Sequence, residues 1–208
     1  MSYTREQKQL IAYSRQKVES AFTKRPSRAH GIDHVGRVAA WAREIAGAEK
    51  ARSVFICELA AWFHDIGRAF EEKLDANNRG HAEISYRVLS NWFRDDRHFD
   101  ILTRAQKLEL LYSVRYHWND EANKYDTAWI LRDADKLDCY GVVGVKRLRS
   151  AFDYGTEEWN LVMRCMFANS LRMRSKTACK IIKNRKLLLP LEKELKKFLK
   201  GKIEKVEL

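Results

Sequence analysis

This chain has little of the material that makes linkers, disulfides or membrane spans. Among 208 residues there are two prolines and nine glycines. Nothing resembles a Gly/Ser linker or an internal repeat, which excludes a string of small modules. The four cysteines (Cys57, Cys139, Cys165, Cys179) show no CxxC or close pairing. With no signal peptide in view, they are expected to be reduced core residues of a cytoplasmic protein. The longest strongly apolar run, Val54–Ile66, is broken by Glu58 and contains His-Asp. It is too short to span a bilayer and predicts a buried core helix instead. No segment alternates apolar and polar residues long enough for a convincing strand.

What is present is helical period and positive charge. The expected helices run from Thr4 to about Phe22, from Gly31 to Ala48 and from Ala51 to His64. Further ones are expected over roughly 81–94, 104–118, 127–152, 157–172 and 177–200. Turns fall at Lys24-Arg25-Pro26-Ser27 and Asp153-Tyr154-Gly155, and a loop occupies 68–79. Pro190 should kink or split the last helix. The fold class is therefore all-α, a single-domain helical bundle. Residues 1–24 form an N-terminal helix on a core of 25–155, and 156–208 complete the same domain. The net charge is +12, and residues 172–208 carry 13 Lys/Arg against 4 Asp/Glu, a local +9. A solvated face of an amphipathic helix explains this, and so does attraction for phosphate-bearing substrates or nucleic acid.

Several apolar stripes end in histidine. His34, Val38, Trp41 and Ile45 share a helical face, as do Cys57, Ala61 and His64. His81, Ser85, Val88 and Trp92 repeat the pattern, and Leu110, Val114 and His117 do so again. One such histidine is ordinarily a satisfied core residue. Four in one small helical domain, with Asp65 directly after His64, point to a divalent metal, because a buried Asp beside a buried His is costly without a cation. The segment Leu131–Asp138 adds Asp133, Asp135 and Asp138. Asp133 and Asp135 point nearly opposite ways on a helix, so only one faces a given metal, and periodicity leaves the choice open. A thiolate-free set of nitrogen and oxygen donors suits Mn²⁺, Fe²⁺, Co²⁺, Ni²⁺, Zn²⁺ or Mg²⁺, with Mg²⁺ disfavoured as the sole tight binder.

The ordered set His34, His64-Asp65, Asp135 resembles the signature of the HD superfamily of metal-dependent phosphohydrolases. Its context matches too: His30-Gly-Ile-Asp-His34-Val, Phe63-His-Asp-Ile-Gly-Arg68, His81-Ala-Glu-Ile-Ser85 and Leu131-Arg-Asp-Ala-Asp-Lys-Leu-Asp138. Ser175-Lys-Thr-Ala is similar to the stretch before the final helix of the stand-alone bacterial and archaeal proteins. The likeness covers all but the first two dozen residues. It implies the HD-type helical bundle, a metal held by His34, His64, Asp65 and Asp135, and one or two ions. His81 and His117 would complete a second metal site or bind substrate phosphate. His30, Asp133 and Asp138 are expected to stand behind the ligands.

In that scheme a metal-activated water attacks phosphorus. Asp65 is favoured over Glu72 as general base, and Arg68 and Lys136 would meet the developing charge unless they form ordinary surface ion pairs. His98 reads as an exposed loop residue. The implied substrate is a small phosphate compound, foremost a nucleotide. Competing functions are a single-strand nuclease, with Trp118, Tyr125 and Phe198 as stacking candidates, a di-iron oxygenase using His81 and His117, and a non-catalytic nucleotide-binding regulator. A membrane partner is not expected, and nothing specifies an oligomeric state.

Overall fold

The computed structural model describes residues 3–24, 30–71 and 80–206, with side chains as far as Lys197. The expected turn at 25–27, Glu72, the Asn77-Asn78 stretch and the Phe198 side chain lie outside the described residues. Among the described residues there are ten α-helices, two 3₁₀ turns and no strand. The protein is all-α. No described helix is long and apolar enough to cross a membrane.

Helix α1 (Arg5–Lys24) begins as the sequence predicts, at a reciprocal cap in which Gln7 N donates to Thr4 Oγ1 and Thr4 N to Gln7 Oε1. Its inward stripe, Leu10, Ser14, Val18 and Phe22, recurs every four residues. Helix α2 (Ile32–Ala48) carries His34 in its first turn and buries Val35, Val38, Ala42 and Ile45 below it. Helix α3 (Val54–Phe63) is capped by Ser53, whose hydroxyl accepts from Ile56 N, and every residue after Val54 is buried. This all-round burial follows from its composition: apart from Glu58, which accepts from Tyr3 Oη, the helix is apolar on every side and can only be central. Truncating Phe63, which is fully buried among Trp92 and Phe99, would cost about 3–5 kcal/mol.

Helix α4 (Gly80–Asp95) packs on α5 (Arg104–Arg115) and on the turn after Asp65, α5 and α6 (Asp126–Leu137) pack on α3, and α2, α3 and α6 pack on one another. Helix α5 starts at a full capping box between Thr103 and Gln106. The remaining helices are α7 (Gly141–Ala151), α8 (Glu157–Ser170), α9 (Lys176–Asn184) and α10 (Leu189–Val206). Helix α10 lies on α7 and α8, while α9 lies on α6 and α2.

Three expected boundaries move. The single helix over 127–152 is two, α6 and α7, because the chain turns at Asp138–Tyr140 and Gly141 takes φ +72°, a conformation natural to glycine. The last helix is split, as Pro190 suggested, with Pro190 in the first turn of α10, where its missing N–H costs nothing. Helix α5 ends at Arg115 rather than at 118, leaving His117 and Trp118 beyond it. Ile66–Ala69 and Arg97–Ile101 form 3₁₀ turns that periodicity does not reveal.

Candidate metal centre

Each of the four stripe-ending histidines projects from the end of an element toward one carboxylate, Asp65. His34 is in the first turn of α2, His64 and Asp65 directly follow α3, and Asp135 is in the last turn of α6. His81 is the second residue of α4, and His117 lies two residues past α5. The bundle thus collects helix ends rather than helix middles, so the donors sit at one margin of the apolar core.

On one side of Asp65, His34 Nε2 is 3.3 Å from His64 Nε2 and 3.3 Å from Asp135 Oδ1. Asp65 Oδ2 is 3.6 Å from both histidine nitrogens. On the other side, Asp65 Oδ1 is 3.2 Å from His81 Nε2 and 4.0 Å from His117 Nε2. Those two nitrogens are 3.3 Å apart. His30 Nδ1 lies 2.8 Å from Asp65 Oδ2. His34, His64 and Asp135 can hold one metal ion between them; Asp65, His81 and His117 can hold one, and so can His30, His34 and Asp65.

The rings are fixed from behind. His64 Nδ1 donates to Ala61 O at 2.7 Å and His117 Nδ1 to Val114 O at 2.8 Å. Each bond keeps the proton on Nδ1 and leaves the Nε2 lone pair facing the centre, as metal ligation requires. His34 Nδ1 is bonded instead to Asp138 Oδ2 at 2.7 Å. Imidazoles aimed Nε2 to Nε2 at such spacings converge on points where only a proton or a cation can stand, so the donor set fits a divalent metal.

The electrostatics follow from burial and crowding. Burial pushes His64 down to about 4 and His81 to about 3, so both rings are neutral. Burial also depresses His34, but hydrogen bonds with Asp135, Asp138 and Asp65 outweigh it and raise the ring to about 10. Burial alone would raise the carboxyls of Asp65 and Asp135, yet the surrounding histidines hold both below the ordinary carboxylate range.

The structure brings together His30, His34, His64, Asp65, His81, His117 and Asp135. Asp138 stands behind His34. Asp133 is not among them: it is fully buried and accepts from the backbone N–H of Arg174 and Ser175 at 3.0 and 2.6 Å, tying the start of α9 to α6. The opposite facing of Asp133 and Asp135 is what helical geometry requires. Arg68 lies in the 3₁₀ turn after Asp65, paired with Glu71 at 3.3 Å, and Lys136 is paired with Asp120 at 2.7 Å. His98 is exposed, stacked on Tyr13 and bonded to Asp96.

Two arginines that no sequence motif singles out also belong here. Arg37 forms a fork on Asp138, Nε to Oδ1 at 2.6 Å and Nη2 to Oδ2 at 3.0 Å. Arg147, from α7, reaches Asp138 Oδ2 at 2.7 Å and abuts His34 Nδ1. Arg37 shares a helical face with His34 at i, i+3, a signal that could have found it. No local signal marks Arg147, which depends on the break at Gly141. Gly67 has a role of its own: a Cβ there would lie 2.1 Å from His81 O and 2.7 Å from Ser85 N. Its backbone N–H donates to the buried Ser85 Oγ at 2.8 Å. Only glycine lets the turn after Asp65 press against the start of α4 and hold His81 beside it.

The HD domain family matches residues 31–139, just over half of the chain and nearly the whole donor set. No curated protein matches. Among solved structures, a predicted HD superfamily hydrolase from an uncultured Thermotogales bacterium is 24% identical, with a TM-score of 0.65 and 91% of each chain covered. Bacillus subtilis YpgQ, solved in complex with ADP, is 21% identical with a TM-score of 0.67, covering 92% of this chain and 96% of its own. A protein of Lactobacillus plantarum is 17% identical with a TM-score of 0.68, covering 98% and 100%. These likenesses show the fold.

Proposed function

The chain belongs to the HD domain family, and from that premise we propose that it is a metal-dependent phosphohydrolase acting on nucleotides. The observation that carries the reading is the placement of Asp65, with Oδ2 facing the His34–His64–Asp135 side and Oδ1 facing His81 and His117. One carboxylate between two nitrogen-rich pockets is the arrangement a two-metal hydrolytic site requires. When bound, divalent ions supply an activated water and polarise a phosphoryl oxygen.

The chain's own residues would then divide the work. His34, His64, Asp65 and Asp135 would hold one ion, and His81 and His117 would complete a second metal site with Asp65 or bind phosphate directly. Asp65 would also serve as the general base toward water, with His30 Nδ1 orienting it from 2.8 Å at Oδ2. Arg68, whose charge is felt at His81, and Lys136, next to Asp135, are the cations for the transferring group. Both are held by carboxylates, Glu71 and Asp120, and would exchange those partners for phosphate oxygens. The ADP bound by YpgQ supports a nucleotide as the substrate class.

The basic C-terminal region adds little support for a nuclease. In α9, Lys176, Lys180 and Lys183 are exposed opposite the buried Ala178, Ile181 and Ile182, an ordinary amphipathic helix. Arg185 is paired with Glu44 and Lys197 with Glu194.

The deciding experiment strips the protein of metal, restores Mn²⁺, Mg²⁺, Co²⁺ or Ni²⁺ singly, and follows phosphate and pyrophosphate release from nucleoside mono-, di- and triphosphates. Labelled single-stranded DNA and RNA run alongside, with Asp135→Ala as control. Metal-dependent turnover of one nucleotide class, lost in the variant, is the expected result. Cleavage of the strands with no nucleotide turnover would replace this reading with a nuclease.

A further inference from the structure

A cavity of about 520 Å³ opens beside the metal centre, between the start of α4 and the residues that follow α5. Its lining includes His81, Glu83, Arg115, Tyr116 and Trp118. His81 is common to the two spaces, because its Nε2 faces Asp65 and His117 while the residue walls the cavity. The volume lies in the range of small-ligand pockets, which runs from about 300 to 1,000 Å³.

Trp118 is the unexplained residue. Its side chain is 66% exposed, one position after a candidate metal ligand that is almost wholly buried. An indole left in water on the wall of a cavity contributes little to the core, and its flat face suits an aromatic ring. Other lining residues are polar and fixed. Arg115 Nε is 2.8 Å from Glu83 Oε2, and its guanidinium lies over the rings of Tyr86 and Tyr116 at 4.7 and 5.6 Å. Arg87 reaches the other oxygen of Glu83 at 3.3 Å. Side chains locked in this way lose little freedom when a ligand arrives.

We infer that this cavity holds the nucleobase of the substrate, stacked on Trp118 with its polar edge toward Glu83 and Arg115. The inference rests on the phosphohydrolase reading, since His81 then stands between the phosphates at Asp65 and the base beyond it. It assigns to Trp118 a role in binding the base and none in the chemistry.

The test is calorimetric titration of the Mn²⁺-loaded protein with ADP and, separately, with inorganic pyrophosphate, which has phosphates and no base. Stacking on an aromatic side chain is lost on truncation to alanine, so Trp118→Ala should weaken ADP binding by roughly tenfold or more. Pyrophosphate binding and thermal stability should not change, and Trp118→Phe should retain most of the ADP affinity. If Trp118→Ala leaves ADP affinity intact, or weakens both ligands alike, the base is not held there. Equal binding of ADP and pyrophosphate by the unsubstituted protein would exclude it as well. In those cases pyrophosphate still binds and the phosphohydrolase reading survives. Failure of the unsubstituted protein to bind either ligand overturns both.

Discussion

The two sides of Asp65 are built differently. The His34–His64–Asp135 side is made by α2, the end of α3 and α6, the helices that also form the core. It is braced by Asp138, itself clamped by Arg37 and Arg147. The His81–His117 side is made by the start of α4 and the stretch after α5, and it adjoins an open cavity. The histidines of the first side, His34 and His64, are almost completely buried, with the Asp135 side chain 31% exposed at its edge; on the second side His117 is buried and the His81 side chain is 21% exposed. His34, His64 and Asp135 lie at the ends of helices whose packing on one another the fold needs anyway, while His81 depends on a local device, the close approach that Gly67 allows. The first side is expected to bind its ion tightly, and the second to be the adjustable one that meets substrate.

The largest effect should come from the residue both sides share. Asp65→Ala should remove bound metal from both and lower turnover by a factor on the order of 10³. Metal analysis after gel filtration checks this, and one ion retained per chain would show the sides to be independent. Next come variants that separate the sides. Asp138→Ala removes the brace on His34 and should weaken the tighter metal by about 10- to 100-fold. His117→Ala should cost only the weaker ion. Equal losses in the two variants, read by competition with a fluorescent chelator, would mean that the centre is one unit.

Gly67→Ala should be felt through packing. Its methyl would have to displace the α4 backbone, at a cost of about 2 kcal/mol, which corresponds to a drop in Tm of about 4–8 °C for a chain of this size. Because His81 moves with α4, the weaker metal should be lost before the tighter one. A variant with unchanged Tm and stoichiometry would remove the assigned role of Gly67.

The smallest effect is a remote control. Asp96 accepts hydrogen bonds from Tyr13 and Lys17 of α1 and contacts His98, which overcome its burial and hold its carboxyl below the usual range. Its contribution is therefore complete above the unfolded pKa of about 3.9 and is lost as pH falls toward the lower folded value. Asp96→Asn should cost about 1 kcal/mol at neutral pH and nothing at strongly acid pH, with metal affinity unchanged. Urea titrations at two pH values measure both; an equal cost at each would disconnect the stability from this carboxylate.

Much of this centre could be read from residue order. Periodicity placed His34, His64, His81 and His117 at the ends of buried stripes, and family resemblance chose Asp135 over Asp133. The structure gives the physical sense of that choice: Asp133 is occupied in capping the Arg174–Ser175 backbone, while Asp135 turns toward His34. The contribution of the loop after Asp65 was legible only as a motif. That its glycine is required by contact with His81 and Ser85, eighteen positions away at the latter, depends on two elements meeting in space.

The amino-acid sequence by itself determined the helical class, the buried central helix and the candidate histidines at the ends of buried stripes, because these follow from local period and side-chain chemistry. Tertiary structure decided which oxygen of Asp65 faces which histidines, that Arg37 and Arg147 converge on Asp138, and that Trp118 stands exposed beside a cavity. These are relations between chain segments as much as a hundred residues apart. Helical period fixes the face a residue occupies on its own helix; only the packing of helices on one another fixes what that face meets.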